Sequence, residues 1–185
     1  MISGKLGELV AAQERVTKVM WVAMCAGLLV YVAIPQILFP DGRTSDGAPE
    51  SLLSIMIAVA VVSAVGSLIY YRRAFSDETL VALLRRPVSA QKIAEEAQQA
   101  AQSKKLLADL ETMSAEDLRV YGVVRSRQTS WIAAFSLNES VGIYGLVAAF
   151  VAQDAMLVLP FVAVALLLQF GAFPKTVRRK FGAQA

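Results

Sequence analysis

The sequence predicts an all-α polytopic membrane protein: four transmembrane helices, arranged as two hairpins, with a cytoplasmic helical insert between them. Three observations predict it. Hydrophobic residues make up 56% of the 185-residue chain and the mean hydropathy is +0.54, above the roughly 45–50% apolar content of ordinary soluble domains. Four apolar runs, 19–39, 52–71, 129–152 and 156–173, are each close to or above the about 20 residues that a helix needs to cross a bilayer. All but Arg43 of the 18 basic residues lie outside the two hairpin loops, so the positive-inside rule puts those loops outside and both termini in the cytoplasm of a cell inner membrane.

Residues 1–18 set Ile2, Leu6, Leu9, Val10 and Val16 among Lys5, Glu8, Glu14, Arg15 and Lys18. That spacing is close to a helical stripe and predicts a short amphipathic segment lying on the membrane surface. The run Val19–Phe39 is too long for the apolar part of a signal peptide and reaches Pro40 without a small-residue cleavage site, so it reads as a retained first span. Pro35 stands near its far end, where a broken backbone hydrogen bond can be met by water.

An acidic, turn-rich loop over 41–50 leads into the second span, 52–71, and closes the first hairpin, 19–71. Along this span Ala60, Ser63, Ala64 and Ser67 form a ridge of small residues against which another helix packs closely. Tyr70, Tyr71, Arg72 and Arg73 end it with aromatic and basic interface anchors, as Trp21 and Trp131 do at the same boundary and Arg178 and Arg179 do in the tail.

Over 72–128 charged residues and glutamine replace the apolar run, which predicts a cytoplasmic helical segment. Ser76 reads as the N-cap of a short helix with Asp77 and Glu78 in its first turn and Pro87 as its stop. A second helix is expected over 89–113, and Ser114 caps a third that carries Leu118, Tyr121 and Val124. The second membrane hairpin, 129–173, turns at Gln153-Asp154-Ala155, with Pro160 in the first turn of its return helix and Pro174 as the terminator; 174–185 is a basic tail.

The chemistry of the chain is bounded by what it lacks. There is no histidine, which removes the commonest general base and metal ligand, and the single Cys25 can build neither a disulfide framework nor a thiolate site. No nucleotide loop, metal cluster or nucleophile–base pair is legible, so neither an enzyme nor a cofactor is expected. The basic residues flank apolar runs and act as topology determinants; nucleic acid is not an expected partner. The expected partners are the lipid bilayer and either other membrane subunits or a second copy of the chain.

Glu139 is the one acidic or basic residue within the four apolar runs. A charge at mid-bilayer costs about 2.5–3.5 kcal/mol on insertion scales, so its presence needs a reason. Counting about 1.5 Å per residue puts Glu139 and Gln169 at the same depth, roughly 18 Å below the outer end of the second hairpin, with Ser63 level with both. Glu139, Gln169 and Ser63, with Asn138 or Ser136, are therefore the candidates for a buried polar layer. Two roles follow. In the first, a protonated Glu139 donates a hydrogen bond to Gln169 or a backbone carbonyl and fixes helix pairing; in the second, it is an exchangeable site for H⁺ or Na⁺. The first implies a non-catalytic subunit or accessory protein of a larger membrane complex, and the second an ion-conducting or ion-coupled protein.

The stretch Phe135-Ser-Leu-Asn-Glu-Ser-Val-Gly-Ile-Tyr-Gly-Leu-Val-Ala-Ala-Phe150 resembles the carboxylate-bearing helix of rotary ATP synthase c subunits, and Arg125-Ser126-Arg127-Gln128 is distantly similar to their basic polar loop. It also resembles small four-helix bacterial membrane proteins of uncharacterised function. The c-subunit resemblance implies that Glu139 is an ion-binding carboxylate. It covers under a tenth of the chain. The c subunits are two-helix hairpins with a glycine-repeat partner helix, whereas 52–71 holds only Gly66 and a long insert separates it from the Glu139 helix, so membership of a c ring is not expected.

Overall fold

The computed structural model of the chain describes residues 4–39, 50–85 and 112–173. Among these every regular element is helical: α1 (Gly4–Leu38), α2 (Glu50–Ala74), α3 (Asp77–Arg85), α4 (Ala115–Ala152), a 3₁₀ turn (Ala155–Leu157) and α5 (Val158–Gly171). Three helices, α1, α2 and α4, are long and apolar enough to cross a membrane; the apolar stretch Ala155–Gly171 is shorter. The loop over 41–49, most of the helix expected over 89–113, Pro87 and the basic tail with Arg178 and Arg179 lie outside the described residues.

Two of the helices are longer than the sequence pattern suggests. The expected surface segment 1–18 and the first span are one α-helix of 35 residues, and the expected third cytoplasmic helix and the third span are one of 38. At 1.5 Å per residue each is about 50 Å long or more, well beyond the about 30 Å of hydrocarbon in a bilayer. The hydroxyls at the expected joints are accommodated within the continuous helices. Thr17 Oγ1 donates to the Gln13 carbonyl at 3.0 Å, Thr129 Oγ1 to Arg125 at 3.4 Å and Ser130 Oγ to Ser126 at 3.2 Å. Bonding back to the carbonyl four residues earlier keeps these residues inside a helix where their side chains otherwise favour a cap. Real caps stand where the chain breaks: Ser76 Oγ accepts from the Thr79 N–H at 3.2 Å, and Ser114 Oγ from the Asp117 N–H at 3.1 Å.

The chain divides into two compact units. One comprises Met1–Thr17, Ala74–Ser130 and Lys175–Ala185. In it Leu6, fully buried, packs with Leu118 and Tyr121, flanked by Leu9, Val10, Met113 and Val120. Of the apolar stripe of the N-terminal segment, Leu6, Leu9 and Val10 pack in this cluster, whereas Val16 is exposed. The Arg127 guanidinium lies 5.9 Å from the centre of the Phe75 ring, within the range of a cation–π contact.

The second unit, Lys18–Arg73 with Trp131–Pro174, holds the apolar helices and a core of Leu28, Ala60, Val141, Ala149, Val158, Val162 and Ala165. Helix α4 is central to the packing: 44% of its apolar window is buried, against 11% for α1 and for α2. Glycine lets its neighbours approach. A Cβ on Gly142 would collide with Leu28 of α1, and one on Gly145 with the Phe161 ring of α5. The turn after α4 uses Gln153 in the left-handed region (φ 52°), with the Asp154 N–H returning to the Ala149 carbonyl at 3.1 Å, a Schellman-type helix end. Asp154 then accepts from the Met156 N–H at 2.8 Å and caps the 3₁₀ turn.

Candidate functional site

The site is built from two successive residues of α4. With 3.6 residues per turn, neighbours on a helix point about 100° apart, so Asn138 and Glu139 address different helices. Asn138 is 1% exposed and sits between α2 and α5. Its Oδ1 accepts from Ser67 Oγ at 2.5 Å, and its Nδ2 donates to Gln169 Oε1 at 3.0 Å. Ser67 and Gln169 are buried as well. The result is a neutral chain of hydrogen bonds across three helices, with every link between side chains.

Glu139 turns instead towards α1. The Tyr31 hydroxyl donates to its Oε1 at 2.8 Å. One turn earlier on α1, Gly27 leaves the carboxylate room: a Cβ there would meet the same oxygen at 3.6 Å, an ordinary contact distance. Glu139 is only half-buried. Among the described residues it has no ion-pair partner, and no group of three or more acidic, cysteine or histidine side chains is placed to hold a metal ion.

The sequence-predicted residues therefore separate. Gln169 and Asn138 are in the buried layer, but Gln169 pairs with Asn138 and not with Glu139. Ser63 is half-buried and lies one turn from Ser67, which takes the place expected for it. Ser136 is exposed on the outer face of α4, away from the layer. Tyr31 and Ser67 are not among the residues that the sequence points to as a site. Ser67 is legible as the last member of the small-residue ridge, and Tyr31 as a phenol in the middle of an apolar run rather than at its boundary.

The aromatic anchors are packed into the unit. Trp21 donates its indole N–H to the Gln169 carbonyl at 2.8 Å and meets the Phe170 and Phe173 rings edge-on at 5.3 and 5.0 Å. Tyr71 lies 5.7 Å from Trp131, which is itself buried and 5.5 Å from Phe135; Tyr70 is half-buried. Arg72 and Arg73 are exposed at the end of α2. Phe39 and Phe150 make a further ring contact at 5.7 Å.

A groove of about 290 Å³ runs beside the layer, lined by Ile57, Ala60 and Ala64 of α2, Val141 of α4 and Phe161 and Val164 of α5, and presents no polar surface. It can hold hydrocarbon and offers no group for catalysis. Comparison with models of protein families, with curated proteins and with solved structures returns no match.

Proposed function

We propose that the chain is a non-catalytic integral-membrane subunit or accessory protein of a larger membrane complex. In this reading it crosses a bacterial inner membrane four times, with both termini and residues 72–128 in the cytoplasm. The supporting observation is how the polar groups of the apolar helices are used. Asn138 bonds to Ser67 and to Gln169, and Tyr31 to Glu139, so that α4 is tied to α1, α2 and α5 in turn. Side chains committed to helix pairing build a fixed framework. Binding and chemistry are then left to partners.

The test is purification from native membranes in a gentle detergent. The expected result is an assembly well above the 19.9 kDa of the chain, with companions in fixed proportion. A monodisperse monomer that conducts H⁺ or Na⁺ in proteoliposomes would overturn the reading. The topology has its own test in a Cys25→Ser background. Ser51→Cys should react with a membrane-impermeant reagent on intact cells, and Glu8→Cys and Glu78→Cys should not; labelling at 78 would sink it.

The second reading, an ion-conducting or ion-coupled protein, is favoured by one observation. Glu139 is a half-buried carboxylate with a hydroxyl donor and no cation beside it among the described residues, which is the composition of an exchangeable H⁺ or Na⁺ site. The resemblance of its helix to c subunits points the same way.

A further inference from the structure

One face of α4 carries the exposed Ile132, Ser136, Ile143, Val147 and Phe150 at helical spacing, with the half-buried Glu139–Ser140 at its middle. Its ends are apolar and its middle is polar. Ser140 is satisfied within its own helix, donating to the Leu137 carbonyl at 2.7 Å. Ser136 is exposed, and Glu139 is half-buried with Tyr31 on one oxygen, leaving acceptor sites on the carboxylate unfilled among the described residues. Lipid cannot fill them, because hydrocarbon offers no donor.

We propose that this face of α4 docks a transmembrane helix of a different protein, one that carries a lysine or arginine level with Glu139. The inference rests on the subunit reading above and adds the partner's chemistry. Charge complementarity calls for a cation, and the sequence says where it does not come from. The basic residues of this chain all lie outside the runs 19–39, 52–71, 129–152 and 156–173. A second copy therefore brings another Glu139 to that depth and no cation, so self-association leaves the carboxylate unmatched. The apolar residues above and below, Ile132, Ile143, Val147 and Phe150, flank the ion pair and keep it dry, which strengthens it.

The test uses the full-length protein in vesicles of neutral lipid, with fluorescent apolar helices of about 23 residues as probes, one carrying a central lysine and the other leucine in its place. The lysine helix should associate about threefold or more tightly than the leucine helix, the scale measured for polar contacts between membrane helices. The preference should vanish in Glu139→Gln, which keeps the size and the acceptor for Tyr31 and removes the charge, and should survive in Leu167→Ala on the exposed face of α5. Equal association of the two probes with the wild type, a preference retained in Glu139→Gln, or one lost in Leu167→Ala would each overturn the proposal. So would energy transfer between differently labelled copies of the chain that is abolished by Ile143→Trp. A native complex that persists while the lysine probe shows no preference refutes this docking face alone; a monomer in native membranes refutes the subunit reading.

Discussion

Asn138 and Glu139 are adjacent in the chain and opposite in circumstance. Asn138 is closed in, with donor and acceptor both met by side chains of other helices. Glu139 is half-open, with one hydroxyl on one oxygen. The difference shows two ways of using a polar group in an apolar bundle. Asn138 has one partner on its oxygen and one on its nitrogen, which ties the helices it touches and offsets part of the cost of burying a neutral amide; of the three buried side chains, Gln169 keeps an Nε2 with no partner among the described residues. A carboxylate has more acceptor capacity than one phenol can fill, and it stays at the edge of the unit, where something from outside can reach it. The first is suited to holding the fold, the second to contact.

The largest effects should come from breaking the closed side. Asn138→Leu strands the Gln169 side chain and the Ser67 hydroxyl between α2, α4 and α5, and leaving buried polar groups unpaired costs about 1–3 kcal/mol. Reversible unfolding in mixed micelles should show a loss of that size, and a loss below that of Glu139→Leu would invert the comparison. Gly142→Ala comes next. It forces Leu28 to move, an overpacking cost of about 1–3 kcal/mol that Leu28→Ala should relieve in part. The same substitution at Gly27, where the nearest atom is the Glu139 carboxylate at 3.6 Å, should be nearly silent.

How much of this was legible in the sequence follows from what periodicity and depth can encode. Apolar runs marked the long apolar helices, and Ser76 and Ser114 marked caps, because those signals are local. Helix continuity at Thr17 and at Thr129–Ser130 was not legible, since a hydroxyl that caps a helix and one that bonds back to its own helix look alike in sequence. Depth counting places Gln169 and Ser63 at one level, whereas the hydrogen-bonded chain holds Gln169 and Ser67, one turn from Ser63, a difference that any tilt or offset between helices introduces. Direction was the harder part. The count treated Asn138 and Glu139 as one level, and only their separation of about 100° around α4 decides that the amide meets Gln169 and the acid meets Tyr31.

A smaller effect sharpens the comparison from the α5 side. Gln169→Leu removes one partner of Asn138 but leaves Ser67 in place, and it leaves the backbone carbonyl that Trp21 uses. The expected loss is about 0.6–1.7 kcal/mol, the range for single interhelical hydrogen bonds in a membrane protein. In the double variant Asn138→Leu/Gln169→Leu the two losses should be less than additive, because the pair shares one bond. Strict additivity would mean that the Asn138–Gln169 link carries no energy.

The smallest effects belong to the open side, and their pattern separates the two functional readings. Tyr31→Phe removes the described donor to Glu139 and keeps the ring that packs against α4, so it should cost about 0.6 kcal/mol. Glu139→Gln keeps an oxygen for Tyr31, so it should cost less still, and in a double-mutant cycle the Tyr31–residue 139 coupling should survive it. Assembly with native companions is the second readout. If Glu139 only holds helices together, the Gln variant folds and assembles as the wild type does, because shape and hydrogen bond are both kept. If it is matched to a partner cation, the Gln variant folds normally and loses its companions. If it binds a transported ion, the Gln variant folds and assembles, and H⁺ or Na⁺ flux in proteoliposomes disappears, because the exchangeable charge is what an amide cannot replace. Stability alone cannot tell these apart, since all three leave the bond to Tyr31 in place; folding, assembly and flux measured on the same variant do.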